Sequence, residues 1–139
     1  MTFPLKYRQE GQNWILALEA GEEIVSTLNA FLAEHNIKGG FLVGLGAVEN
    51  VELSYYDLKE KKYHSKKFDE GTFELLNLTA SVSETGLHAH VTLAGHDFKA
   101  FGGHLAKATV AAAFEGFLTP AELICKEHNE EIGLKLMKL

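Results

Sequence analysis

Three histidines carry the clearest chemical signal in this chain. His88 and His90 sit two residues apart in the apolar run Leu87-His88-Ala89-His90-Val91-Thr92-Leu93. Such a run reads as a β-strand, whose side chains alternate faces, so both imidazoles point the same way. His104 follows Gly102-Gly103, with thirteen residues between it and His90, enough for the chain to turn and return as the neighbouring strand. Three neutral imidazoles on a rigid sheet form a set of Zn²⁺ ligands that leaves one coordination position open. Ni²⁺, Co²⁺ or Fe²⁺ also accept imidazole, so the residue types define a divalent transition-metal site before they define zinc. An H-x-H pair alone serves packing or local hydrogen bonding as readily; the third histidine behind a glycine pair is what points to metal. His35, His64, His96 and His128 are not expected as ligands. His35 closes a helix, where a surface imidazole suits the helix dipole, and His96 falls in the turn after the histidine strand.

An open position on a three-histidine metal could acidify water or polarise a carbonyl, provided a general base stands close by. Glu74, a carboxylate inside the apolar run Phe73-Glu74-Leu75-Leu76-Asn77-Leu78, is the candidate; its alternative role is a salt bridge or hydrogen bond to a neighbouring strand or subunit. Gly44-x-Gly46 lacks the third glycine and the following helix of a dinucleotide loop. Cys125, the only cysteine, reads as a packing residue and excludes an internal disulfide. No Ser-His-Asp or Cys-His set stands out.

The elements that must position the histidines follow from periodicity. Trp14 to Glu19 is a short apolar strand. Gly21 ends it, and Glu22-Glu23 open an amphipathic helix over about residues 22–36, with Ile24, Val25, Leu28, Phe31 and Leu32 on one face. Phe41 to Tyr56 reads as one long or bent strand, Asp57 to Lys62 as a hairpin tip, and Tyr63 to Phe68 as the returning strand. Gly71 turns the chain into a strand over 73–82, and Gly86 precedes the histidine strand. Further strands are expected at 98–105, 110–117, 122–126 and 132–136, with Thr119-Pro120 as a break. One helix among many strands, without β-α-β alternation, predicts an α+β fold with a mostly antiparallel sheet. The 139 residues suit a single domain, 1–139.

Charge and composition narrow the partners. The net charge of −6 opposes nonspecific nucleic-acid binding, which needs a positive surface. Lys59, Lys61, Lys62, Lys66 and Lys67 form the one basic concentration, but Asp57, Glu60, Asp69 and Glu70 interleave with them. They therefore read as a solvated edge hairpin. No apolar run is long enough to span a bilayer, and the opening residues Met1 to Glu10 lack the apolar core of a signal peptide. With one cysteine, this fits a cytoplasmic protein.

Four blocks, in order, resemble the PPC (plant and prokaryote conserved) domain. They are Leu42-Val43-Gly44-Leu45-Gly46-Ala47-Val48-x-Asn50-Val51, then Gly71-x-Phe73-Glu74-x-Leu76-x-Leu78, then Leu87-His88-x-His90-Val91-x-Leu93, and finally Gly102-Gly103-His104-Leu105. The similarity spans nearly the whole chain. It implies a sheet-rich fold, a homotrimer, and a metal held by His88, His90 and His104, as prokaryotic members often hold one. Plant relatives act as DNA-binding regulators through an attached AT-hook. This chain has no AT-hook, and Thr72 stands where the plant motif carries arginine. Phe98 replaces the turn glycine of many members. DNA binding therefore does not transfer with the fold. The expectation is a homotrimeric metal-binding domain, zinc foremost, with a regulatory or small-ligand-binding role. The alternative is a metal-dependent enzyme of hydrolase or lyase type.

Overall fold

The computed structural model describes residues 5–139, so Met1 to Pro4 of the opening segment lie outside the described residues. The elements in chain order are β1 (Lys6–Glu10), β2 (Asn13–Glu19), α1 (Ile24–Glu34), β3 (Gly40–Asp57), β4 (Lys62–Ser83), β5 (Gly86–Ala94), β6 (Ala100–Pro120), β7 (Cys125–Asn129) and β8 (Leu134–Lys138). Every strand pairing is antiparallel. The main sheet runs β1-β2-β6-β3-β4-β5, and β5 also pairs with β6. Strands β6, β3, β4 and β5 therefore close into a ring. This is the mostly antiparallel α+β fold that the periodicity predicts.

The core lies between α1 and the sheet. Ile24, Leu28, Phe31 and Leu32 of the helix stripe are buried, together with Leu16 and Leu18 of β2 and alternating residues of the long strands. Glu23 caps the helix, its carboxylate accepting from the backbone N–H of Val25 and Ser26, as side-chain oxygens do for the orphan donors of a first turn. The same carboxylate accepts from the N–H of Ala108 at 3.0 Å, which ties the start of α1 to β6. Asn29 Oδ1 accepts from the N–H of Leu87 at 2.9 Å and ties the helix to the start of β5. One helix thus fixes both strands that bear the histidines.

Several boundaries differ from the sequence expectation. Lys6–Glu10 is a strand with every residue exposed, and such an edge leaves no alternating pattern to read. Gly71 does not turn the chain: β4 runs unbroken from Lys62 to Ser83. Across β3, Glu49 faces Thr72 and Val51 faces Phe68, so residues 69–71 bulge opposite Asn50. The left-handed φ of 76° at Gly71 absorbs the extra residues without reversing the strand. The two strands expected over 98–117 are one, Ala100–Pro120, because pairing with β3 continues through Lys107 and Thr109 across register shifts. The last hairpin is displaced two to three residues toward the C-terminus, with its turn ending at Gly133, φ 82°. Cys125 is exposed, not packed, because β7 and β8 form a separate two-stranded sheet whose residues are half-buried at most.

Candidate metal centre

The histidine cluster forms where β5 meets β6. His90 and His104 are direct cross-strand partners, and His88 lies one pleat repeat along β5 on the same face. Ala89, Val91 and Leu93, the alternate residues, are buried in the core and hold that face outward. The close seam depends on Gly102, because a Cβ there would sit 2.1 Å from the carbonyl oxygen of Val91. A side chain at that position would push β6 away from β5 and His104 away from His90. The turn before β6 contains Phe98, which is 89% exposed and takes φ 64°. The loop keeps the left-handed geometry of a turn glycine while carrying a phenylalanine, at a cost of order 1 kcal/mol.

One nitrogen of each imidazole lies within 4.8 Å of the other two. Ligand nitrogens around a tetrahedral zinc at about 2.0–2.1 Å are somewhat nearer to one another, so small ring rotations bring the set onto an ion. Ring centroids are 5.0 Å apart for His88–His90, 5.3 Å for His88–His104 and 5.7 Å for His90–His104. Nδ1 of His104 is buried without a hydrogen-bond partner among the described residues, a costly state for a polar nitrogen unless something binds it. Burial is the main reason the His88 imidazole is pushed down to about 4, with the Lys126 ammonium and then the neighbouring His90 and His104 adding to it. Burial likewise lowers His104, helped by His90 and Lys126. Both rings are therefore neutral at pH 7, the form that binds metal. Donor type, convergence and the orphaned nitrogen all fit a divalent transition metal, which His88, His90 and His104 would hold.

The cluster opens into a cavity of about 590 Å³. Ser54, Tyr55, Tyr56 and Tyr63 come from β3 and β4, and Leu134 comes from β8. The rings of Tyr63 and His104 lie 5.1 Å apart, and those of Tyr56 and Tyr63 lie 5.0 Å apart. No carboxylate lines this cavity among the described residues. Glu74 is exposed, and its partner across the sheet is Ala94, four residues beyond His90 on β5. At ~3.3 Å per strand residue this places it over 10 Å along the strand from the cluster.

The remaining histidines stand elsewhere. His96 is exposed in the loop after β5. His35 caps α1, its Nδ1 lying 3.0 Å from the Phe31 carbonyl oxygen. It is more than a surface residue, since its ring packs 4.3 Å from Phe31 and 4.8 Å from Trp14. His128 lies 3.9 Å from Glu130. His64 joins Asp57 and Glu60 in a second convergent group at the β3–β4 tip, which the sequence reading missed because a tip so rich in charge looks merely solvated. Those groups already have partners: Asp57 accepts from the N–H of Lys59 and Glu60, and Glu60 pairs with Lys62 and His64. Part of the basic concentration is similarly engaged, with Lys61 donating to the Glu130 carbonyl and Lys66 lying over the Phe68 ring.

This fold is a known one. The chain belongs to the Plants and Prokaryotes Conserved (PCC) domain family, whose model matches residues 5–122. Among solved structures it is similar to a Bacteroides thetaiotaomicron protein that carries the provisional name of DNA-binding protein. The two are 33% identical, with a TM-score of 0.92 and 96% of each chain covered. It is also similar to a metal-containing protein of Archaeoglobus fulgidus, 31% identical, with a TM-score of 0.84, covering 99% of this chain and 100% of that one. A plant- and prokaryote-conserved (PPC) protein of Pyrococcus horikoshii shares the fold at 24% identity and a TM-score of 0.82, covering 100% of this chain and 97% of that one. No curated protein matches the chain.

Proposed function

We propose that the chain is a cytoplasmic, homotrimeric metal-binding domain that holds zinc on His88, His90 and His104 and serves a regulatory or small-ligand-binding role. The convergence of three imidazoles, one with an orphaned buried nitrogen, carries this reading. The name of the Archaeoglobus fulgidus relative adds support. The enzyme reading is weaker, because a metal-activated water needs a base nearby and no carboxylate lines the cavity among the described residues.

The test is zinc titration of metal-free protein as a function of pH. Protons compete with metal for the imidazoles, so acidification drives release. Lowered values at His88 (about 4) and His104 keep these rings neutral at pH values where free imidazole, at about 6.5, protonates. Binding should be undiminished at pH 7, persist where free imidazole protonates, and decline as pH falls through about 4. Affinity that does not change between pH 7 and about 3 would place the metal on other ligands.

The trimer rests on the family and on one surface. Phe41, Val43 and Leu45 of β3, Leu76 of β4 and Phe117 of β6 are large apolar residues left more than 40% exposed. Val43, Leu45, Leu76 and Phe117 border one shallow depression. Contiguous apolar surface of this kind suits burial against copies of the same chain. Sedimentation equilibrium should return about three times the 15.3 kDa of one chain; a monomer at every concentration would refute the assembly.

Plain duplex DNA should bind weakly or not at all at physiological salt, given the net charge of −6 and the pairing of Lys61 and Lys62 with their neighbours. Fluorescence anisotropy with random and A·T-rich duplexes reads this, and submicromolar affinity for either would reverse it.

A further inference from the structure

The C-terminal hairpin of β7 and β8 lies beyond the residues matched by the family model, yet two tyrosines join it to the histidine site. The hydroxyl of Tyr56 donates to the Ile132 carbonyl at 2.6 Å. Gly133 follows with a left-handed φ of 82°, and a Cβ there would sit 2.6 Å from that hydroxyl oxygen. Lys61 Nζ donates to the Glu130 carbonyl at 2.9 Å and fastens the same turn a second time. Leu134, the residue after Gly133, lines the histidine cavity together with Tyr56 and Tyr63.

Tyr56 and Tyr63 are cross-strand partners on β3 and β4. Tyr56 lies two residues along β3 from Ser54, whose partner on β6 is His104, so alternation sets all four on one face. The ring of Tyr63 spans the gap between tyrosine and histidine. Its centroid is 5.0 Å from that of Tyr56 and 5.1 Å from that of His104, and it tilts 38° to the imidazole. Ile132, Tyr56, Tyr63 and His104 thus form a continuous chain of contacts from the hairpin to the third ligand.

A metal-bound imidazole is usually oriented by a hydrogen bond to its second nitrogen. Here no carboxylate lines the cavity among the described residues, and Nδ1 of His104 has no hydrogen-bond partner among them. His88 and His90 share one strand, and their rings pack 5.0 Å apart. His104 comes from the other strand, behind two glycines that have no side chains to confine its ring. An imidazole that must be immobilised as the ion binds loses affinity, and one already held in place does not.

Building on the metal reading above, we infer that Tyr63 is the positioning residue of the metal centre. Its ring, braced by Tyr56 and through Tyr56 by the C-terminal hairpin, holds the His104 imidazole in the orientation that completes the ligand set. The face of the Tyr63 ring does this, and its hydroxyl is dispensable. For Tyr56 the hydroxyl matters, because it carries the bond to Ile132.

The test measures Zn²⁺ affinity of the full-length protein by competition with a chromophoric chelator, beside the visible spectrum of Co²⁺-loaded protein, which reports ligand geometry. Tyr63→Leu should weaken Zn²⁺ by about tenfold, the lower end of what an outer-shell partner contributes, and should alter the cobalt bands. Tyr63→Phe keeps the ring and should restore both to native values. Tyr56→Phe keeps its ring but loses the bond to Ile132, so it should weaken Zn²⁺ by about threefold. It should add nothing further in the Tyr63→Leu background, since the two act through one contact. Tyr63 is 43% exposed near the start of β4, so urea midpoints of the metal-free variants should match that of the native protein; a merely structural role would lower them instead. Native protein that takes up neither ion overturns the metal reading itself. Native protein that loads overturns the positioning role alone if Tyr63→Leu binds Zn²⁺ undiminished, or if Tyr63→Phe is as weak as Tyr63→Leu. Undiminished affinity in Tyr56→Phe overturns the bracing by the hairpin, and that variant decides the matter should Tyr63→Leu fail to fold.

Discussion

Replacing His88 or His104 with alanine will empty the metal site, while replacing His96 will leave it full. Each of the first two removes one of three ligands, and a two-imidazole remnant on a sheet cannot enclose a transition metal. Losing an outer-shell partner already weakens such sites by about 10–100-fold, so loss of a ligand should exceed that. The contrast with His96 follows from position: it is exposed in the loop beyond β5, whereas His104 sits directly across from His90. The fold should survive both ligand substitutions, since His88 and His104 are only half-buried and belong to none of the buried core. Metal per chain, measured beside a circular dichroism spectrum for each variant, gives the answer. If His96→Ala loses its metal and His104→Ala keeps it, the third ligand is misassigned.

The largest effect on stability should come from Phe114→Ala. Phe114 is fully buried on β6, facing Leu18 of β2 on one side and Gly46 of β3 on the other. Its ring crosses Gly44 and Gly116 so closely that a Cβ on either would lie within 3 Å of it. Those glycines have no side chains with which to fill the space that alanine would leave, so the cavity stays open. Truncating a buried phenylalanine costs about 3–5 kcal/mol, a large part of the roughly 5–15 kcal/mol that holds a domain of this size together. Urea unfolding should show the midpoint falling with little change in slope. A loss below about 1 kcal/mol would mean that the neighbouring strands collapse onto the site.

The helix, the long β3 and the histidine strand were legible in the sequence because each buries one face, and burial imposes a period. The convergence of His88, His90 and His104 was legible for the same reason: alternation put two on one face, and a glycine pair allowed the third to approach. What escaped lacked that imprint. β1 is exposed along its whole length and shows no alternation. Gly71 reads as a turn because the residue type reports a left-handed backbone, which bulges and turns share. Glu74 drew attention as a carboxylate amid leucines, but Leu75 and Leu78 face the core while Glu74, Leu76 and Asn77 face out. A register shift between Leu75 and Asn77 against β5 breaks the simple alternation that would have placed it. The cavity wall supplied by Leu134 arises from packing across some seventy residues of chain, which no local pattern encodes.

The central claim is that three histidines on the β5–β6 seam hold a metal. Elemental analysis of the chain, purified without a histidine tag and without added metal or chelator, tests it most directly. The account predicts about one divalent transition-metal ion per chain, zinc foremost, removed by a chelator and restored on adding Zn²⁺. Protein that contains no transition metal and takes up none from micromolar Zn²⁺ at pH 7 would contradict it.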